Sequence, residues 1–373
     1  MALLRRAALP LAAVGMASLA RPARVPGQAG DDPWRPRTVP LFGASYSPGF
    51  GLLIGAGIAH TRYGFHALPP STRLLAGAQY ATAAQTYRVD LTGEFRQPLF
   101  PTILNVTLRA SGLEIIRFHG MGNETDVSQP DSVYRVRQEQ FLVAPIATAV
   151  LMPRLRLALG PLLKYARTRA DSGILLTRTG PHYGAAGFGA LGVRVALELD
   201  TRDVPAAAGR GAHLRLAGQW HPAAWDAIRP FASLAAQAST YLSAGDPPAA
   251  TLALRAGGAR VTGTAPFHEL VYVGGETTVR GYVEQRFAGR SGAYANAELR
   301  LLARRVSIGD LGLFGLADAG RVWAPGESSD RWHAAAGGGL WFAWRHRRAQ
   351  TVSIAAARSP ERSAVYLRLG FLF

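Results

Sequence analysis

Cysteine is absent from the 373 residues, and with it go disulfide frameworks, thiolate zinc sites and cysteine nucleophiles. That pattern suits an exported protein that avoids stray oxidation. Lysine is nearly absent as well: Lys164 is the only one, so arginine carries the formal charge of +17. These arginines are spread along the chain, many at alternate positions opposite apolar residues, and do not gather in the basic stripe of a nucleic-acid-binding protein. Anionic lipid headgroups or lipopolysaccharide account for them more simply, and a GC-rich coding bias more simply still. No nucleic-acid partner is expected. Beyond the amino-terminal region the chain also lacks any run of roughly 20 consecutive apolar residues, the length a membrane helix needs.

Enzyme signatures fail on their context. Gly187-Phe188-Gly189-Ala190-Leu191-Gly192 spells a dinucleotide fingerprint, but it lies inside a strand pattern with no helix after it, so no phosphate cradle can form. His268-Glu269 has Tyr272 where a zinc protease helix needs its second histidine. Ser291 beside Gly292 lacks the strand-elbow-helix setting of a hydrolase serine, and the nine histidines form no spaced cluster. The expectation is a non-enzyme with no catalytic residue, cofactor or metal.

What is present begins with an export signal. Arg5 and Arg6 precede an apolar run from Ala7 to Leu19, and Ser18-Leu19-Ala20 supplies small residues for cleavage, giving a signal peptide over 1–20. Residues 21–38, rich in proline, glycine and charge, read as a flexible amino-terminal segment. Residues 39–373 contain about sixteen strand-like segments, against the roughly 9 to 11 residues a membrane-crossing strand requires. Leu191, Val193, Val195, Leu197 and Leu199 oppose Arg194, Glu198 and Asp200, while Tyr87, Val89, Leu91 and Phe95 oppose Arg88, Asp90, Glu94 and Arg96. Trp220, Trp323, Trp332 and Trp344 fall near strand ends, as an interfacial girdle would place them. With the amino terminus periplasmic, the longest connections (118–132, 169–183 and 262–290) share the extracellular side. The fold class expected is therefore all-β: a transmembrane antiparallel barrel over 39–373.

The most informative stretch is Gly274 to Leu301. A long glycine-rich excursion centred on Val279-Arg280-Gly281-Tyr282 leads into strict alternation, with Ala293, Ala295, Ala297, Leu299 and Leu301 opposite Tyr294, Asn296, Glu298 and Arg300. The motif and the strand after it resemble the sixth extracellular loop and next strand of the outer-membrane assembly superfamily that includes BamA and TamA, the bacterial surface antigen type. Asp200-Thr201-Arg202-Asp203 with Gly211 resembles that family's strand-ending turn. Leu316-Ala317-Asp318-Ala319-Gly320 resembles its inner-wall acid motif, with Leu316 where the family has an aromatic. The chain ends Gly370-Phe371-Leu372-Phe373. Leu367, Leu369, Phe371 and Phe373 share one face by alternation, resembling the carboxy-terminal signal of outer-membrane barrels.

The resemblance implies a sixteen-stranded barrel in the bacterial outer membrane whose sixth loop folds into the lumen. There Arg280 would meet Asp318, with Glu298 as the competing acceptor, while Gly281 permits close approach, Tyr282 packs alongside and Gly320 follows the acid on the wall. It implies insertion, assembly or translocation of other proteins through a lateral seam. Expected partners are outer-membrane lipid, lipopolysaccharide, unfolded outer-membrane protein clients or a separate periplasmic protein. The family's periplasmic POTRA domains have no room between Ala20 and Val39, which leaves a passive pore or structural surface barrel as the alternative. A crosslink between Ser45 and Leu369 is the expected way to lock the seam.

Overall fold

The computed structural model describes residues 34–64, 67–96, 102–169, 171–245, 248–345 and 347–373. The signal peptide at 1–20 lies outside the described residues, as does most of 21–38. Of the remainder, Arg37 and Thr38 already belong to the first strand, where Thr38 pairs with His60. A proline- and charge-rich sequence can still be ordered when a neighbouring strand takes its backbone groups.

The first eleven strands are β1 (Arg37–Ser47), β2 (Gly51–Gly64), β3 (Ala67–Ala81), β4 (Thr86–Arg96), β5 (Thr102–Ser111), β6 (Gln138–Met152), β7 (Leu155–Thr168), β8 (Gly187–Asp200), β9 (Gly211–His221), β10 (Phe231–Ala244) and β11 (Ala250–Gly263). After a small ribbon of β12 (Val271–Val273) and β13 (Phe287–Gly289) come β14 (Ser291–Val306), β15 (Gly309–Trp323), β16 (His333–Trp344), β17 (Arg347–Arg358) and β18 (Ser363–Leu369). Setting the ribbon aside, sixteen strands among the described residues pair antiparallel and close into a barrel. Closure removes sheet edges, whose unpaired amides and carbonyls would otherwise recruit foreign strands.

Alternation sets which side each residue takes. On β8, Leu191, Val193 and Val195 are exposed while Arg194 is buried; on β15, Leu313 and Ala317 are exposed while Phe314, Leu316 and Asp318 are buried. The apolar side faces out and the polar side faces in, the reverse of a soluble sandwich. The connections 112–137, 169–186 and 264–290 all lie at one end, here the loop end; 153–154, 201–210 and 307–308 lie at the opposite, turn end. The long connections pack on one another through Ile115, Phe118, Val136, Ile174, Leu176, Phe267 and Ala288, giving the loop end a hydrophobic core of its own. Two single-turn helices, α1 (Asp131–Tyr134) and α2 (Leu175–Arg178), are set into it.

Three readings of the sequence need correction. The connection 262–290 is partly regular: β11 runs on to Gly263, a turn of 3₁₀ helix covers Phe267–Glu269, and β12 pairs with β13. Phe371 and Phe373 do not continue the outward face of Leu367. β18 ends at Leu369, the chain turns at Gly370 with φ +90°, and both aromatics swing onto inward partners, Phe371 on buried Phe314 and half-buried Trp341, Phe373 on buried Tyr241. Ser45 and Leu369 do not oppose each other either. The register Tyr46 to Leu367 sets Ser45 across from Arg368, and with a period of two a one-residue offset puts Ser45 and Leu369 on opposite faces.

Among the described residues, that register is also the only paired position at the closure of the barrel. β1 follows β2 from Arg37–Thr61 to Ser47–Gly51, and β17 follows β18 from Val352–Leu369 to Arg358–Ser363, but β1 meets β18 only at Tyr46 and Leu367. The seam is the weakest ladder in the barrel.

Candidate functional site

The excursion between β12 and β13 is shaped by its own hydrogen bonds. The Gly274 amide donates to Thr278 Oγ1 (2.8 Å), the Gly275 amide to the Val279 carbonyl (3.1 Å) and the Glu276 amide to Glu284 Oε1 (2.6 Å). Gly281 takes φ +89°, a conformation that disfavours side chains, and an added Cβ would also sit 3.0 Å from the Ser359 amide nitrogen. Val279, Tyr282 and Phe287 pack with Val273, Val322 and Ala335. This contact depends on Gly320, where a Cβ would lie 2.7 Å from Val279 Cγ2 and 2.8 Å from Val273 Cγ1.

Arg280 is thereby carried onto the buried faces of β14 and β15. Its Nε and Nη2 donate to the two oxygens of Asp318 at 2.7 and 2.8 Å, and its own backbone amide donates to Asp318 Oδ2 at 3.0 Å. Nη1 donates to Glu298 Oε1 at 2.6 Å. Glu298 is therefore not a competing acceptor: the guanidinium has enough donors to hold both acids at once. All three side chains are almost completely buried.

Two acids against one guanidinium leave an excess buried negative charge, which would be costly, and the wall supplies further compensation. Arg300 donates Nε and Nη2 to Glu298 Oε2 (2.9 and 2.7 Å), and Asn296 donates Nδ2 to Asp318 Oδ1 (2.8 Å). Arg255 donates to Asn296 Oδ1 and to the Thr277 carbonyl, with its guanidinium over the rings of Tyr294 and Phe373. These residues were not singled out from the sequence, although Asn296 and Arg300 share the polar face of β14 with Glu298. Arg255, on β11, carries no local signal.

Arg300 also links Glu298 to the family-like turn and to the chain end. Its Nη1 donates to the Ala208 carbonyl (3.2 Å) and its Nη2 to the Phe373 main-chain oxygen (2.9 Å), while its guanidinium lies 3.8 Å from the Phe371 ring centroid. Ala208 belongs to the turn opened by Asp200-Thr201-Arg202-Asp203. There Arg202 grips Asp200 through Nε and Nη2, Asp203 Oδ1 accepts the amides of Val204, Gly209 and Arg210, and the Thr201 amide pairs with Ala212 just after Gly211. Asp200, Glu198 and His213 are the one group with metal-like spacing among the described residues. Because Arg202 already occupies Asp200 and His213 bonds Glu198, we read the group as structural.

On its far side the excursion is bonded to the strand that closes the barrel. Tyr366 Oη of β18 accepts the Gly281 amide (2.8 Å), Arg368 of β18 pairs with Glu276 (2.5 Å), Ser359 Oγ donates to the Gly281 carbonyl (2.9 Å) and Arg286 pairs with Glu361 (2.9 Å). Among these charges Glu284 lacks a guanidinium of its own; burial, and then the neighbouring Glu276 carboxylate, push its carboxyl up to about 8. Because the folded pKa exceeds the unfolded one, this group destabilises the loop progressively as pH rises from about 4.5 to 8. Glu284→Gln should flatten that slope, read as loop amide exchange at pH 5 and pH 9: the variant should gain protection over wild type at pH 9 and little at pH 5.

The family described as haemolysin secretion/activation protein ShlB/FhaC/HecB matches residues 224–342, the part of the chain that carries Arg255, Arg280, Glu298 and Asp318. Among solved structures, BamA from Haemophilus ducreyi lacking POTRA domains 1–3 aligns over 90% of this chain and 71% of its own, at 15% identity and a TM-score of 0.67. CdiB from Escherichia coli aligns over 92% and 64% at 14% identity and a TM-score of 0.57; CdiB from Acinetobacter baumannii over 90% and 59% at 13% and 0.52. The chain thus spans about three fifths of each CdiB. No curated protein matches. At these identities the likeness is one of fold: a sixteen-stranded barrel of the same architecture.

Proposed function

We propose that this chain is a bacterial outer-membrane barrel that inserts or translocates other polypeptides, with the sixth extracellular loop folded into its lumen and the β1–β18 seam as its lateral opening. The observation that carries the reading is the seam. A ladder reduced to one registered pair exposes backbone donors and acceptors on both sides once it parts, and those groups can template a client strand by β-augmentation. The loop's bonds to Tyr366 and Arg368 then tie the state of the seam to the position of Arg280. The exposed leucine and valine face, with Trp220, Trp323, Trp332 and Trp344 exposed at or near strand ends, supports contact with lipid and lipopolysaccharide. The secretion family matched over 224–342 favours translocation of a polypeptide client.

A second reading, a passive or structural surface barrel, draws on the hydrophobic core that closes the loop end. One experiment separates the two. Tyr46→Cys and Leu367→Cys, which face each other across the seam, lock it when oxidised. Vesicles containing the reduced protein should speed the folding of an unfolded eight-stranded outer-membrane protein, oxidation should abolish the gain, and reductant should restore it. Equal rates in the oxidised and reduced states, or no gain over empty vesicles, would sink the seam and leave the passive barrel.

A further inference from the structure

A cavity of about 1100 Å³ opens at the turn end; Arg300, which pairs with Glu298 of the loop site, forms part of its lining. Its volume is close to that of a large ligand pocket. Two features of its lining are chemically one-sided. Arg154 and Arg156 of the β6–β7 hairpin and Arg345 and Arg347 of the β16–β17 hairpin line it, and among the described residues none of their side chains has an ion-pair or hydrogen-bond partner. Of the four acids that also line it, Glu198 is held by His213, Asp200 by Arg202, and Asp203 by backbone amides and Arg348, which leaves Asp310 as the single uncommitted carboxylate of the lining, among the described residues, against four uncommitted arginines. Between the arginines the walls are apolar, with Pro153, Pro205, Pro248, Trp341 and Trp344.

We infer that this vestibule is a binding site for an acidic polypeptide segment in which carboxylates alternate with apolar side chains. The arginines offer paired donors whose planar fork fits a carboxylate through two hydrogen bonds. The proline and tryptophan walls remove apolar side chains from water, which a bare anion would not reward. A bilayer cannot enter a ring of sixteen strands end-on, whereas an extended chain can. The site would act on the approach of a client and goes beyond the proposed seam; it requires neither seam opening nor loop movement.

The test uses the purified barrel in detergent micelles and fluorescently labelled decapeptides of alternating Glu and Leu or alternating Lys and Leu, read by anisotropy against empty micelles. The acidic peptide should bind at least tenfold more tightly than the basic one and weaken as salt rises. Arg154→Glu with Arg156→Glu should cost at least tenfold, Arg345→Gln with Arg347→Gln on the other hairpin should weaken it in the same direction, and Trp344→Ala should cost several-fold. Heat-modifiable gel mobility identifies the variants that remain folded. Equal affinity for the two peptides, no effect of either arginine pair in folded protein, or displacement by tripolyphosphate at the concentration at which unlabelled acidic peptide displaces would overturn the inference. The last result would mark an anion patch with no use for its apolar walls.

Discussion

Arg280→Ala should leave the sixteen-stranded ladder closed while releasing residues 274–286 from it. The substitution leaves Asp318 without a charged partner, held only by Asn296 and the residue-280 main-chain amide, and leaves Glu298 held by Arg300 alone, in surroundings that exclude water. Breaking a buried pair by removing one partner typically costs about 3 to 5 kcal/mol, more than any other single change at this site is expected to cost. The loss should appear as protease cleavage within 274–286 and as faster amide exchange at Gly281, whose hydrogen bond to Tyr366 depends on the loop's position. Strand amides far from the site should keep their protection. Unchanged loop protection in a folded Arg280→Ala protein would show that Val279, Tyr282 and Phe287 hold the loop without the ion pairs.

Exchanging the charges, Arg280→Glu with Asp318→Arg, should not rescue the loop, because the arginine serves two acids. The swap would set a carboxylate at position 280 against Glu298, a buried like-charge contact. Neutralising all three, Arg280→Gln with Asp318→Asn and Glu298→Gln, removes the unpaired charges and should recover part of the protection lost in Arg280→Ala. A double swap that restored full protection would mean that the Glu298 bond contributes little.

The barrel was legible because alternation is a local signal and lipid-type patterning repeats it many times. β10 shows where that signal strains: Ala232, Ala235, Ala236 and Ala238 favour helix, yet the segment forms a full strand, since β9 and β11 on either side take its backbone groups. Arg280, Asp318 and Glu298 could be named because one sits in a motif and two in alternating strands. That Arg280 bonds both acids at once is a matter of three-dimensional reach, which spacing does not encode. The chain end misled for a related reason. Leu367, Leu369, Phe371 and Phe373 alternate faultlessly, but alternation assigns faces only while the backbone stays extended, and at Gly370 it does not. Arg255, Tyr366 and Ser359 gave no local sign, because their partners lie 22 to 85 residues away in the chain.

Arg300 yields the second large effect, and it tests whether the site and the turn end form one unit. Arg300→Ala removes two donors from Glu298 and the donors to the Ala208 and Phe373 oxygens, and takes the cation from the face of Phe371. Glu298 keeps Arg280, so the charge penalty is smaller than at Arg280, and losing hydrogen bonds to buried groups adds to it, for about 2 to 4 kcal/mol in all. The informative readout is spatial. Arg300→Ala should accelerate exchange at the Gly209 and Phe371 amides, which bond Asp203 and Ala206, as well as within 274–286. Arg300→Lys separates charge from shape: an ammonium can still meet Glu298, so the loop should stay protected, but it lacks the planar fork that reaches Ala208 and Phe373 together, so the turn and chain end should loosen. Loosening confined to the loop in Arg300→Ala, with residues 204–210 and 370–373 untouched, would show that the turn and chain end are held by Asp203 and the Phe314–Phe371–Trp341 contacts alone, and that no mechanical connection runs from the Arg280 site to the mouth of the cavity.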